Sequence, residues 1–247
     1  MSTRTFLSCI ALFAGFAAAA GAHASGLQVS PVSLSLTPTQ NADGLWLSNS
    51  GDNDVQAQVR VFHWTQEGGE EKLTPSRGLV VSPPMLKLAP GEKQLIRVIR
   101  TGAPPSGAGA VEDAYRIAID ELPVETKVKK GLRFVLHYSV PVFVEPVGAA
   151  AVAPKLVWAF RRNGEGVTLD LGNQGNGHAQ IADLTLVGAG DQRTTLAGGL
   201  VGYALPGASV HWNLKISQAA FSAGGHIEAM VNGEKATQAA SLADPPR

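Results

Sequence analysis

Cysteine is almost missing from this chain of 247 residues: the single one, Cys9, lies close to the start. A disulfide framework is thereby excluded, and so is a thiolate metal cluster. Long apolar runs are missing too. Beyond the N-terminal segment nothing approaches the roughly 18 uninterrupted apolar residues that a membrane-spanning helix needs. Charge of one sign is also lacking, since 20 Lys plus Arg balance 20 Asp plus Glu. With no basic cluster, a nucleic-acid partner is disfavoured, and recognition must rest on shape and hydrogen bonding. Helical periodicity of 3.6 residues is almost absent after the first segment, which excludes an α-helical bundle.

What the start does contain is Arg4, an apolar run from Phe6 to about Ala20, and Ala22 and Ala24 flanking His23. This is the layout of a secretory signal peptide, with cleavage expected after Ala24 and residues 1–24 removed. In Leu7-Ser8-Cys9 the apolar run follows the cysteine instead of preceding it, which argues against lipidation. The leader carries Arg4 and no acidic residue, so the exported chain is about one charge negative. Without cysteine, an exported protein must be held by its core alone, and the remaining length suffices for one or two ordinary domains.

Past the leader, short alternating runs rich in Val, Leu, Ile and Phe are separated by Gly, Pro, Asn and Asp clusters, the pattern of an all-β sandwich. Strands are expected at Leu27–Leu36, Leu45–Asn49, Val55–Trp64, Gln94–Arg100, Ala114–Leu122 and Leu132–Val144. Pro146 to Pro154 is small, uncharged and bounded by prolines, so residues 147–154 read as a linker. Beyond it, strands are expected at Leu156–Phe160, Val167–Leu171, Ala179–Val187, Val210–Ile216 and His226–Asn232. The fold class is therefore all-β, with two β-sandwiches in series over 25–146 and 155–247.

No catalytic or metal constellation emerges. The six histidines, His23, His63, His137, His178, His211 and His226, never fall at the i, i+2 or i, i+4 spacing of metal ligands. Gly172 to Gly177 resembles a phosphate-cradling loop, but it precedes a strand instead of a helix and reads as a turn. No serine occupies a G-x-S-x-G elbow. No cofactor, no metal and no enzymatic activity are expected.

The longest alternating run extends from Gly131 to Glu145. In it Leu132, Phe134, Leu136 and Tyr138 share one face, and Arg133, Val135, His137 and Ser139 the other. On pattern alone this is an ordinary half-buried core strand.

Six segments in order, LQVSPVSLSL, LWLSNSG, VRVFHW, SPPMLKLAPGEKQLIRVIR, YRIAIDELP and LRFVLHYSVPVFVEP, resemble the PapD-like periplasmic pilus chaperones of chaperone/usher secretion. W-L-S-N, R-V-F-x-W and Y-R-x-x-x-D-E-L-P look most similar to the archaic branch. The resemblance spans about 120 residues of the first sandwich. It implies immunoglobulin-like domains, a periplasmic location, and partners that are pilus subunits lacking a final strand together with an outer-membrane usher. It also implies that the run from Gly131 is an edge strand lent to such a subunit, main-chain hydrogen bonds giving affinity and alternate side chains filling its groove. Each of Leu132, Phe134 and Leu136 would then contribute roughly 1.5–3 kcal/mol, before association costs. The polar segment 124–130 would be ordered when a subunit binds. An exposed edge is equally a surface on which a second copy can pair, giving a self-capped homodimer.

Other branches of the family anchor the subunit's C-terminal carboxylate with an arginine on the first strand and a lysine on the last. Those positions align here with Ser33 and about Pro141, so another cation must serve. The resemblance points to Arg116 on the neighbouring strand, with Arg97 second; each is alternatively a solvated arginine on a sheet face. Pro141 lacks an N–H, so pairing is interrupted there or the missing donor faces away from the partner. Pro83 and Pro84 stand where the family often carries a cis proline. Glu112 matches a position of an interdomain charge network, although the arginine partner of that network aligns with Glu145. Two readings compete: a surface subunit or adhesin built from immunoglobulin-like domains, and an enzyme or periplasmic solute binder.

Overall fold

The computed structural model describes residues 26–123, 135–149, 151–222 and 224–242. The first sandwich uses β1 (Leu27–Ser30), β2 (Leu34–Leu36), β3 (Ala42–Asn49), β4 (Val55–Glu67) and β5 (Glu70–Pro75). It continues with β6 (Leu79–Ser82), β7 (Met85–Leu88), β8 (Lys93–Arg100), β9 (Asp113–Leu122) and β10 (His137–Val144). The second sandwich uses β11 (Leu156–Asn163), β12 (Gly166–Asn173), β13 (Ala179–Val187) and β14 (Arg193–Ala204). Its last elements are β15 (Ser209–Ser217), the short helix α1 (Gln218–Ser222), β16 (His226–Val231) and β17 (Glu234–Ala239). Among the described residues no helix is long and apolar enough to cross a membrane.

Up to Val144 the strands form two facing sheets, β1-β3-β8-β6 and β2-β10-β9-β4-β5, with β7 also paired to β4. From Leu156 they form β11-β12-β15 and β14-β13-β16-β17. Alternation sets the cores. Leu45 and Leu47 of β3, Ile96 and Val98 of β8, Ile117 and Ile119 of β9, and Val140 and Val142 of β10 point inward and are buried together. Leu169, Leu171, Ile181 and Leu184 do the same in the second sandwich, where Phe160 meets Phe221 at 5.0 Å. A third cluster joins the two halves: Trp64, Ala114 and Phe143 from one, Tyr203, Leu205 and Ala208 from the other.

That junction explains a break in the pattern. Val140 to Val144 form a continuous apolar run, because one face of β10 fills its own core while Phe143 on the other is buried against the second sandwich. The first expected strand, Leu27–Leu36, is divided. Its first half pairs with β3, and after Val32 and Ser33 its second half crosses to the other sheet and pairs in parallel with β10. The Ser82–Pro83 peptide is cis, as is Ser30–Pro31. The Pro84 carbonyl accepts the Val59 N–H at 2.8 Å, which places both Pro83 and Pro84 in the turn between β6 and β7.

The stretch Gly172 to Gly177 is the end of β12 and a turn into β13. Asn173 holds it: Nδ2 donates to the Gly177 and Ala204 carbonyls, and Oδ1 accepts from the Lys155 and Gly175 N–H groups. Glycine is required at 175, where a Cβ would lie 2.3 Å from the Ala153 carbonyl oxygen.

Candidate functional site

The hydrogen-bond parity of β10 decides which of its backbone groups are taken. Glu121 N–H donates to the Leu136 carbonyl at 2.9 Å, and the antiparallel register pairs Tyr138 with Ile119, Val140 with Ile117 and Val142 with Tyr115. Even-numbered residues therefore bond to β9, and His137, Ser139, Pro141 and Phe143 turn theirs to the opposite side. There β2 covers Val142 to Val144, and Glu145 N–H continues the ladder to the Leu36 carbonyl at 3.0 Å. His137 and Ser139 have no neighbouring strand on that side among the described residues. Pro141, with no N–H to leave unpaired, stands where the covered part ends and the uncovered part begins. The absent donor faces the uncovered side.

The side chains of Leu136 and Tyr138 pack against the first core, and the Tyr138 hydroxyl donates to the Leu27 carbonyl at 2.6 Å. Leu132 and Phe134 lie outside the described residues, as does the segment 124–130. On the outer face His137 Nδ1 is 2.6 Å from Asp120, which also accepts from Arg60 at 2.7 Å. Burial works against the ionised Asp120, but Arg60 and His137 outweigh it and hold the carboxyl below its usual range.

Arg116 is paired across the sheet with Pro141 on one side and Phe62 on the other. From this position its guanidinium lies over the Trp64 ring, 3.6 Å from the centroid, and 5.0 Å from that of Tyr203 in the second sandwich. The side chain is only 11% exposed, and its Nε is buried without a hydrogen-bond partner. Nη2 reaches Glu71 on β5 at 3.3 Å. Burial lowers the basicity of Arg116, opposed first by the charge of Glu71. A buried cation whose Nε is unfilled thus sits one strand away from the edge of β10 that is uncovered among the described residues.

The junction between the sandwiches is polar as well as apolar. Gln66 bridges the sandwiches, donating from Nε2 to the Tyr203 carbonyl and accepting the Leu205 N–H, both at 2.8 Å. Glu112, its side chain 3% exposed, accepts the backbone N–H of His178 at 2.8 Å and the ring Nδ1–H at 2.7 Å. The imidazole lies flat on Phe143 at 3.5 Å. Glu112 thus contacts a histidine of the second sandwich. Ser33, Phe143, His178, Gln180, Tyr203 and Asn232 line a cavity of about 240 Å³ beside this contact.

Arg97 lies elsewhere: it is exposed in β8, opposite Gly44 and Ser82 in the other sheet. Sequence reasoning missed Trp64, Glu71 and Tyr203 as companions of Arg116. Among the described residues no group of three or more His, Cys, Asp and Glu converges as metal ligands would.

Two immunoglobulin-like sandwiches, with a strand edge on the first that is uncovered among the described residues and a buried cation where they meet, define a two-domain, all-β class of protein. The chain belongs to the pili and flagellar-assembly chaperones with the PapD N-terminal domain, whose family model matches residues 26–150. Among solved structures it is similar to a chain of the CsuC–CsuE chaperone–tip adhesion subunit pre-assembly complex from archaic chaperone-usher Csu pili of Acinetobacter baumannii. The identity is 25%, covering 86% of this chain and 97% of that one, with a TM-score of 0.66. The Escherichia coli chaperone DraB shares the fold at 19% identity, covering 88% of this chain and 98% of that one, TM-score 0.58. So does a chain of the Salmonella enterica SafA pilin–SafB chaperone complex, at 14% identity, 87% and 97% coverage and a TM-score of 0.61. No curated protein matches.

Proposed function

We propose that this pilus-assembly chaperone works in the periplasm after losing residues 1–24, captures subunits that lack a final strand by lending them β10, and passes them to an outer-membrane usher. The observation that carries the reading is the uncovered backbone of His137 and Ser139, leading toward the buried guanidinium of Arg116. An unpaired strand edge offers N–H and C=O groups to any incomplete sheet, and so supplies general affinity. Leu136 and Tyr138 extend the core face of β10 toward the uncovered end, and Leu132 and Phe134 continue the same alternation in sequence. Arg116 supplies what an edge alone lacks, a fixed end point: it pairs with the subunit's terminal carboxylate and so sets where the added strand stops.

The test is co-expression of the chain with exported subunits, followed by isolation of a soluble one-to-one complex. Truncating one member of a buried charge pair costs about 2–5 kcal/mol. Arg116→Ala should therefore lose the complex while its circular dichroism still reports a folded chain, and Arg116→Met, which keeps much of the packing on Trp64, should lose the complex with a melting curve closer to that of the parent. Undiminished co-purification with Arg116→Ala would remove Arg116 as the anchor. Failure of any subunit to be solubilised by the unsubstituted chain would remove the chaperone reading itself.

A further inference from the structure

Arg116 is not idle in the unbound protein. Among the described residues Glu71 is the one acidic side chain in ion-pair contact with it, through a single nitrogen at 3.3 Å. That is long for a charge-assisted bond, which ordinarily falls near 2.7–2.9 Å. Elsewhere in the same molecule Arg161 grips Asp170 through both Nε and Nη2, the latter at 2.6 Å, and Arg60 meets Asp120 at 2.7 Å. The Glu71 contact uses one corner of a fork built for two parallel bonds, and the Nε corner is buried and unfilled.

The two partners are held very differently. Arg116 lies over the Trp64 ring and against Tyr203 of the second sandwich, whereas Glu71 is half exposed on β5, a strand exposed along its whole length and paired to β4 alone. Glu71 can swing into water without opening the core; Arg116 cannot. A buried guanidinium is costly without an anion, and a second carboxylate arriving beside Glu71 would face it as a like charge.

We infer that Glu71 is a resident stand-in for the subunit's terminal carboxylate, holding Arg116 in the free chaperone and leaving it when the true carboxylate docks. This rests on the reading of Arg116 as the anchor. Capture is then an exchange of one carboxylate for another. An extended segment that ends in a neutral group has nothing to displace Glu71 with, so the contact discriminates chain ends from other β-prone segments.

The probes are an N-acetylated Val-Thr-Val-Thr-Phe peptide with a free C-terminal carboxylate and the same peptide as its C-terminal amide. Both are titrated against the whole exported chain and its Glu71→Gln variant, following the Arg side-chain Nε–H resonances by NMR. The isosteric change should raise affinity for the acid roughly three- to tenfold and leave the amide unchanged. The gain should disappear in a Glu71→Gln, Arg116→Gln double variant, with melting curves confirming that each protein is folded. Equal effects on acid and amide, an unchanged or weakened affinity for the acid, or no binding of the acid by either protein would overturn the inference. Those outcomes leave the capture of subunits on β10 standing, which is judged separately by Arg116→Ala and the co-expressed complex.

Discussion

Replacing His178 by alanine tests how the two sandwiches are held at the angle that frames Arg116. The variant keeps the backbone N–H that donates to Glu112 but deletes the ring Nδ1–H that donates at 2.7 Å. A hydrogen bond to a charged group contributes about 1.5–3 kcal/mol. Its loss weighs fully here because the Glu112 side chain is 3% exposed and has little water to turn to. The ring also lies 3.5 Å above Phe143 and parallel to it, a stack worth about 0.5–1.5 kcal/mol. The expected destabilisation is therefore roughly 2–4 kcal/mol. Urea unfolding followed by tryptophan fluorescence suits the measurement, since Trp64 reports from the junction itself. Glu112→Gln keeps an acceptor and should cost about 1 kcal/mol. The two changes combined should cost less than their sum, because both act on the same contact. A cost for His178→Ala below about 0.5 kcal/mol, or strict additivity with Glu112→Gln, would refute the reasoning.

Asn173→Ala should be among the most damaging single changes in the second sandwich. It strands two carbonyls and two N–H groups around a side chain that is 2% exposed, for a loss of about 3 kcal/mol or more by denaturant titration. On the surface of β16, hydrogen bonds from Arg193 and then Lys235 hold the Glu228 carboxyl down to about 2 from its usual 4.5. A carboxyl lowered on folding stabilises the native state above pH 4.5 and loses that contribution as the pH falls toward 2. Glu228→Gln should therefore flatten the decline in Tm across that interval; an unchanged slope would contradict it.

Elements with apolar alternation were legible in the sequence. Val55–Trp64, Ala114–Leu122 and Ala179–Val187 fall within β4, β9 and β13. β5 was not legible, because EEKLTP is exposed on both faces and carries no alternation to detect. β14 was hidden by its glycines and by Leu200, an apolar residue exposed at 58%. In the site, Arg116 was visible because it sits in a recognisable motif. Its surroundings were not, since Trp64, Glu71 and Tyr203 reach it from other strands and, for Tyr203, from the other sandwich. Such company is set by cross-strand register and domain packing, neither of which leaves a local pattern.

The division of the first strand has a consequence for measurement. Because β2 takes the side of β10 from Val142 onward, the described residues present both an edge without a neighbour and the wall that ends it. An arriving strand laid along His137 and Ser139 meets Ser33 at the foot of that wall, in the same row as Pro141 and Arg116. On the proposed reading, the protein would act as a ruler with its zero mark built in. A segment that stopped short would leave backbone groups unanswered, one that ran long would collide with the turn at Val32 and Ser33, and only a chain end of the right phase would lie flush.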